Sequence, residues 1–407
     1  MKIELTNGIE VYYKKSKSKL NSISIGVNAG AALEDNLLGL AHITEHMVYK
    51  GTKKRSEEEI NRDLSNIFGF QNAMTNYPYV IYYGSLLEED LDKGIELFYD
   101  ILKNPKFDEK DFIDEREVIL QELKEWDEDL EQYCEDKLFY NCYKSNRLKY
   151  PIIGLEKDIK NTKISHVIDF YNKHYIAKNI KIAVVSSLEV EKVLKIVKKY
   201  FLQWEDSKEV TIAESTEIPK ANIYFDNKMG IMNSRIQIIA PINNLINREL
   251  AALEIFNEFF GVGVNSILFT ELRTKNSLVY DILTKINNEK HIRLYKIFFT
   301  TSKENVNKTL EIINNIIGSL EKTINKLSKE RINELVKVIK IKKLINEEQS
   351  IFVAKDLSIK AVMKAEKINV LNIEPIEILE VFKKVFSKIT IEVVNPKEWV
   401  KWRSYHY

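Results

Sequence analysis

The 407 residues carry 61 Lys+Arg against 60 Asp+Glu, a formal net charge of +1, with 44% hydrophobic and 30% charged residues. This composition excludes a disordered chain, a disulfide-stapled module and the strongly basic field of a typical nucleic-acid binder. At about 150 residues per domain it predicts two or three domains, and no uncharged run approaches the roughly 20 residues of a transmembrane helix. The N-terminal segment MKIELTNGIEVYY lacks the apolar core of a signal peptide, so a soluble, cytoplasmic chain with no membrane or nucleic-acid partner is expected. Cys134 and Cys142 are too few for a disulfide framework or a thiolate zinc site and are expected to be reduced thiols.

In chain order, Ile3, Leu5, Ile9, Val11 and Tyr13 alternate with polar residues around the Asn7-Gly8 turn pair, which predicts a β-hairpin; Ile23, Ile25 and Val27 predict a further strand. From Asn36 to Tyr49, Leu37, Leu40, Ala41, Thr44, Met47 and Val48 recur at three- and four-residue steps, which predicts a helix stopped by Gly51. Amphipathic helices are expected over 56–67 and 86–102, with a β-rich run at 79–83 between them. Residues 109–141 read as one long acidic helix and 182–185 as a buried strand.

Periodicity fails from Ser207 to Pro219 and a strand-helix alternation restarts at Ile223. That break places a first domain at 1–212, a linker at 213–222 and a second domain at 223–407. The second half repeats the order of the first: a strand at 237–240, a helix at 248–260, a Gly-containing turn and a helix at 266–273. The helical run from Glu304 to about Ile345 reads as a pair of amphipathic helices, because Ser328 interrupts any heptad. The matched halves predict an α+β fold from an internal duplication, each half a mostly antiparallel sheet with helices packed on one face.

The chemistry concentrates in Ala41-His42-Ile43-Thr44-Glu45-His46. His42 and His46, at i and i+4, share a helical face and can bind one metal ion, and the order H-x-x-E-H is that of zinc hydrolases in which the Glu serves as general base. A catalytic zinc site takes three protein ligands and keeps an open position. The acidic helix offers Glu115 and Glu122 on one face, and spacing alone does not choose between them. Gly261-Val262-Gly263 is no dinucleotide fingerprint, since Ser266 stands where the third glycine belongs and a helix precedes it.

With these motifs the chain resembles the pitrilysin/insulinase family of zinc peptidases, in the short-chain branch similar to mitochondrial processing peptidase. The resemblance extends through NAGAALEDNLLGLAHITEHMVYKGT, Asn72-Ala73-Met74-Thr75, the segment from Glu115 to Leu123, Gly154, YNKHYIAKNIKIAVV and Leu268-Phe269-Thr270-Glu271-Leu272-Arg273 with Tyr280. It implies His42, His46 and Glu122 as ligands of one Zn2+ per chain, Glu45 as the general base and Glu115 as a carboxylate orienting a ligand His. It also implies Asn72 and Ala73 on an edge strand that pairs with substrate, and an Arg273/Tyr280 pair that closes over the site from the opposite domain. A zinc endopeptidase acting on unfolded peptides in a closed chamber is therefore expected, as a homodimer in which each zinc half is completed by the partner's second half. The alternatives are an inactive scaffold subunit of the same fold, or one subunit of a hetero-oligomeric leader-peptide-processing peptidase. Ser186 and Ser187 depart from the Gly that relatives often carry at that strand end.

Overall fold

Strands form where β-branched and aromatic residues alternate, and helices where apolar residues recur at three and four. The protein, described by a computed structural model over residues 1–205, 217–365, 368–370 and 372–397, divides into two αβ units. The first runs β1 (Lys2–Glu4), β2 (Glu10–Lys15), β3 (Leu20–Val27), α1 (Leu40–Met47), α2 (Glu57–Ile67), β4 (Phe68–Thr75), β5 (Val80–Leu87), α3 (Leu91–Lys103), α4 (Glu109–Glu128), α5 (Leu130–Cys142), α6 (Glu156–Asn161), α7 (Ile164–His174), β6 (Ile180–Ser186) and α8 (Val190–Phe201). The second runs β7 (Ile223–Lys228), β8 (Ser234–Pro241), α9 (Asn247–Phe260), β9 (Ile282–Glu289), β10 (Ile292–Thr301), α10 (Val306–Ile324), α11 (Lys329–Glu348), α12 (Ser350–Met363), α13 (Pro375–Val385) and β11 (Thr390–Pro396). Residues 213–216 of the expected linker lie outside the described residues.

Apart from the additional edge strand β1, the two sheets share one topology, β1-β2-β6-β3-β5-β4 in the first and β7-β11-β8-β10-β9 in the second. In each, one pair is parallel, β2 with β6 and β7 with β11, and the other pairings are antiparallel. The repeated strand order is what an internal duplication leaves behind.

Each sheet buries one face against its own helices. Ile23, Ile25, Val27, Tyr82, Ile182 and Val184 belong to the first core, and Ile236, Ile238, Tyr295, Ile297 and Val393 to the second. The opposite face is covered by a helix from the other half, which the sequence reading did not anticipate. Helix α12 lies across β3, β5 and β6, packing Val353, Ala354 and Val362 on Ile81, Tyr83, Ala183 and Val185. The hydroxyls of Ser22 and Ser24 on β3 meet Ser350 at 2.7 Å and Ser358 at 2.7 Å. A Cβ at Gly26 would stand 2.8 Å from Val362 Cγ2, so the small residue sets how closely this helix lies.

In return, α5 covers the second sheet. Leu138, Phe139 and Cys142 pack with Ile239, Ile292 and Leu294, while Glu135 Oε2 accepts from Gln237 Nε2 and Lys296 Nζ, both at 2.7 Å. Both cysteines are free and buried, with their thiols pushed up by burial.

The expected long acidic helix is two helices. Asp129 is extended (φ −67°, ψ 109°), and its carboxylate accepts from the backbone N–H of Glu131 and Gln132, capping α5. The break lets α4 stay with the first domain while α5 turns onto the second. Similarly, α1 begins at Leu40 rather than Asn36, because Gly39 is left-handed (φ 95°).

A chain ending at residue 222 lacks α12 and leaves an apolar sheet face in water. It is expected to be insoluble or to bind the dye ANS strongly, and co-expression with residues 223–407 is expected to restore a soluble complex with near-UV dichroism.

Candidate metal centre

Helix α1 is fixed at its N-terminus by buried charge. Glu34 Oε1 accepts from the Ala41 backbone N–H at 2.9 Å, and its Oε2 pairs with Arg147 Nη2 at 2.7 Å. Burial pushes the Glu34 carboxyl up even against the Arg147 guanidinium, so the pair is essential to keep it charged as a cap. Beside it Gly39 and Gly154 are both left-handed and in close approach: a Cβ at Gly154 would lie 2.5 Å from the Leu38 carbonyl.

That anchoring presents His42 and His46 to α4, whose Glu115 and Ile119 are buried against α1. His42 Nε2 and His46 Nε2 are 3.3 Å apart, and Glu122 brings Oε1 to 3.6 Å from the first and Oε2 to 3.5 Å from the second. One donor atom from each of the three residues lies within 4.8 Å of the others, the single such group among the described residues. Glu115, the other carboxylate on that face, instead meets His46 Nδ1 at 2.7 Å, so His46 donates there and turns the Nε2 lone pair toward Glu122. Three lone-pair donors aimed at one point repel each other without a cation. The set of two imidazoles and one carboxylate fits zinc with a position left open.

The electrostatics favour the ligating form at His42, whereas at His46 and Glu122 they favour a proton that a bound metal must displace. Burial, followed by the neighbouring His46, lowers His42 to about 3, which keeps it neutral and able to ligate. For His46 burial alone would lower the pKa, but the hydrogen bond to Glu115 and the nearby carboxylates outweigh it and raise the value. Glu122 is raised by burial.

Glu45 is on the same helix and also raised by burial, despite the His46 charge and a 2.9 Å hydrogen bond from Thr75 Oγ1 to its Oε2. Thr75 ends β4, the edge strand of the first sheet. Asn72 and Ala73 sit on that strand opposite Tyr83 and Tyr82, with the other side of β4 unpaired among the described strands. Asn72 is exposed, and its Oδ1 accepts from the Ala73 N–H at 2.8 Å.

Arg273 and Tyr280 lie elsewhere. They line a separate cavity in the second domain with Asn233, Ser277 and Thr300, and that cavity includes no residue of the metal group. Tyr280 is 83% exposed, so it is not a core residue of its domain.

Sequence reasoning missed Lys50, Thr75 and the Glu34–Arg147 pair. Lys50 Nζ sits 2.5 Å from Glu115 Oε2 and 2.7 Å from Glu57 Oε1. With His46 it holds the Glu115 carboxyl below the usual range against burial. Lys50 lies three residues past the end of α1, where helical spacing no longer applies, and Thr75 and Arg147 come from distant segments; none of them left a local signal.

Residues 10–156 match the model of the insulinase family, peptidase family M16, and residues 163–339 match the model described as the peptidase M16 inactive domain. The chain belongs to the insulinase (M16) peptidase family. It is 23% identical over 97% of its length, and 97% of the relative's, to an uncharacterized zinc protease of Rickettsia felis. It is 28% identical to one of Rickettsia bellii over 69% of this chain and 68% of that one. The bovine mitochondrial-processing peptidase subunit beta is 29% identical over 48% of this chain and 40% of the relative. A protease from Helicobacter pylori has the same fold, with TM-score 0.87 at 20% identity over 97% of this chain and 99% of that one.

The second half of this M16 chain shows why one centre is expected from two repeats. Helix α9 follows β8 as α1 follows β3, and Leu40-Ala41 and Gly51 recur as Leu250-Ala251 and Gly261 at the same spacing. At the spacing that separates His42, Glu45 and His46 from Leu40-Ala41, the second half has Ala252, Ile255 and Phe256 after Leu250-Ala251, and all three are fully buried apolar residues that offer no ligand.

Replacing Lys50 by Met is expected to weaken zinc binding by roughly 10- to 100-fold, because Glu115 loses the cation that holds it toward His46. Competition with a chromogenic chelator measures this, and an unchanged far-UV spectrum separates it from unfolding. Zinc retention is also expected to fall as pH drops through the raised pKa of His46, since the protonated ring cannot ligate. Equilibrium dialysis between pH 8 and 5 reads the midpoint.

Proposed function

We propose that the chain is a zinc-dependent endopeptidase that hydrolyses unfolded peptides, holding one Zn2+ through His42, His46 and Glu122. The observation that carries this is the convergence of those donors next to a half-buried carboxylate, Glu45, tied by Thr75 to the end of an open sheet edge. When bound, zinc supplies Lewis acidity at the scissile carbonyl and acidifies water.

A peptide adding to β4 beside Asn72 and Ala73 would run antiparallel or parallel to the edge and end near Thr75, where Glu45 waits. Only an extended, unfolded segment can do so. Glu45 removes the proton from water and delivers it to the leaving amine. Its raised pKa suits both halves of that task, as acceptor near neutrality and then donor. Thr75 holds one carboxylate oxygen, leaving the other for the proton. Glu115 and Lys50 fix the His46 ring.

Arg273 and Tyr280 belong to the second domain, and in this reading they reach substrate from a partner. The chain acts as a homodimer in which each zinc domain faces the partner's second domain, in the cytoplasm. A second reading, one subunit of a hetero-oligomeric processing peptidase, is favoured by a single observation: the bovine relative is named as a subunit beta. A scaffold role without activity fits poorly with a full set of ligands and base.

The Glu45→Gln variant is expected to bind zinc at wild-type stoichiometry while cleavage of a quenched peptide falls by about 100- to 10,000-fold. Wild-type turnover in that variant would remove Glu45 from the mechanism. A 1,10-phenanthroline-treated sample is expected to lose activity and regain it with zinc, and light scattering is expected to give twice the 47.6 kDa chain mass.

A further inference from the structure

A cavity of about 390 Å3 lies on the first domain, where the end of α7 and the segment after α8 meet the loops that follow α1 and α3. Its volume is in the range of small-molecule sites, roughly 300–1,000 Å3. The rings of Phe107, Tyr171, Tyr175 and Trp204 line it together with Lys53 and Lys103, and none of its lining residues belongs to the metal group. The rings are arranged against one another, Phe107 edge-on to Tyr171 at 5.0 Å and Tyr171 stacked with Tyr175 at 4.9 Å. The Lys103 ammonium lies 5.0 Å from the centre of the Trp204 ring. Among the described residues neither Lys53 nor Lys103 has a carboxylate partner, and Glu205 is the one acid in the lining.

The walls are fixed before any ligand arrives. The Lys53 N–H donates to the Asn104 carbonyl at 3.0 Å and the Lys106 N–H to the Gly51 carbonyl at 2.9 Å, lacing together the two loops that carry the cations. The Tyr171 hydroxyl donates to the Leu102 carbonyl at 2.7 Å, and the Tyr175 hydroxyl is bonded to that of Tyr82 at 2.6 Å. Both hydroxyls are therefore engaged elsewhere, and what these residues offer the cavity is ring. Phe107 is left-handed at φ 50°, a strained conformation for a residue with a Cβ, and the surrounding loop maintains it with the ring at the cavity. Ring walls favour a planar aromatic partner, and two ammoniums acting as point charges favour a phosphate. Glu205 repels a ligand that is anionic throughout and accepts from one that also carries hydroxyl or amino groups. A ring, a phosphate and sugar hydroxyls occur together in a nucleotide.

We propose that this cavity is a binding site for a nucleoside monophosphate, with the base against the ring walls, the phosphate held by Lys53 and Lys103, and the ribose hydroxyls donating to Glu205. The site is separate from the metal centre and does not rest on the peptidase reading.

The test is calorimetric titration of the zinc-loaded full chain with AMP, adenosine and inorganic phosphate. AMP is expected to bind on the order of tenfold tighter than either fragment, because only it engages rings and ammoniums together. The double variant Lys53→Ser, Lys103→Met keeps an apolar stem over Trp204; it is expected to lose about tenfold in AMP affinity and to leave adenosine unchanged. Phe107→Gly, which the left-handed backbone accepts, is expected to weaken AMP and adenosine several-fold and to leave phosphate unchanged. Thermal melts confirm that both variants fold. The proposal is overturned if AMP gives no binding heat at millimolar concentration, or if it binds no tighter than phosphate or adenosine. It is equally overturned if AMP affinity survives the lysine substitutions, the result expected of a phosphate bound to the zinc instead. Cleavage of a quenched peptide by the wild-type protein, followed in parallel without nucleotide, reports on the peptidase reading alone.

Discussion

Convergent lone pairs are the constraint on which this molecule's first domain depends. His42 Nε2, His46 Nε2 and Glu122 face one point from two helices, in surroundings dry enough to keep His42 neutral and to raise Glu45 and Glu122. Such an arrangement repels itself, and a fold that maintains it must supply the opposing force from elsewhere. It comes from the Glu34–Arg147 pair, which ties the start of α1 to a distant loop, and from Lys50, which clamps Glu115 behind His46. The ligands are thus held in place by charges that never touch the metal position.

Placing the general base on the same helix as two ligands has a further effect. Glu45 cannot move independently of His42 and His46, and Thr75 connects it to the strand edge where a peptide backbone can pair. Substrate position, proton acceptor and ligand geometry are three readings of one rigid unit.

Much of this was legible in the sequence because it is local. H-x-x-E-H places its groups by helical geometry alone, and the periodicity over 56–67 located α2, whose start the structure fixes with a Ser56–Glu59 capping box. The repeated element order and the two core faces follow from periodicity. What could not be read is long-range or depends on one backbone angle. Asp129 in a run of helix formers gave no reason to break a helix until its side chain is seen capping the next one. Neither α5 nor α12 carries a marked amphipathic pattern, so the sequence did not show which face of either helix is buried, and the exchange between halves was invisible. Arg147 pairs with a residue more than a hundred positions away, and nothing near it in the chain points there. The π-helical turn over Phe269–Lys275, which carries Arg273, shows the same limit, since it reads from periodicity as an ordinary helix.

The exchanged helices also bear on how the chain is made. The strands of the first sheet are complete once β6 has left the ribosome, yet the helix that covers their second face lies about 160 residues further on. At roughly 5–20 residues per second, that face waits on the order of ten to thirty seconds for α12. During that interval the nascent protein presents Ile81, Tyr83, Ala183 and Val185 without their partner. Synthesis of this fold therefore includes an obligatory pause in an incomplete state, in which a trigger-type chaperone, or a neighbouring nascent copy donating its own α12, can take the vacant place.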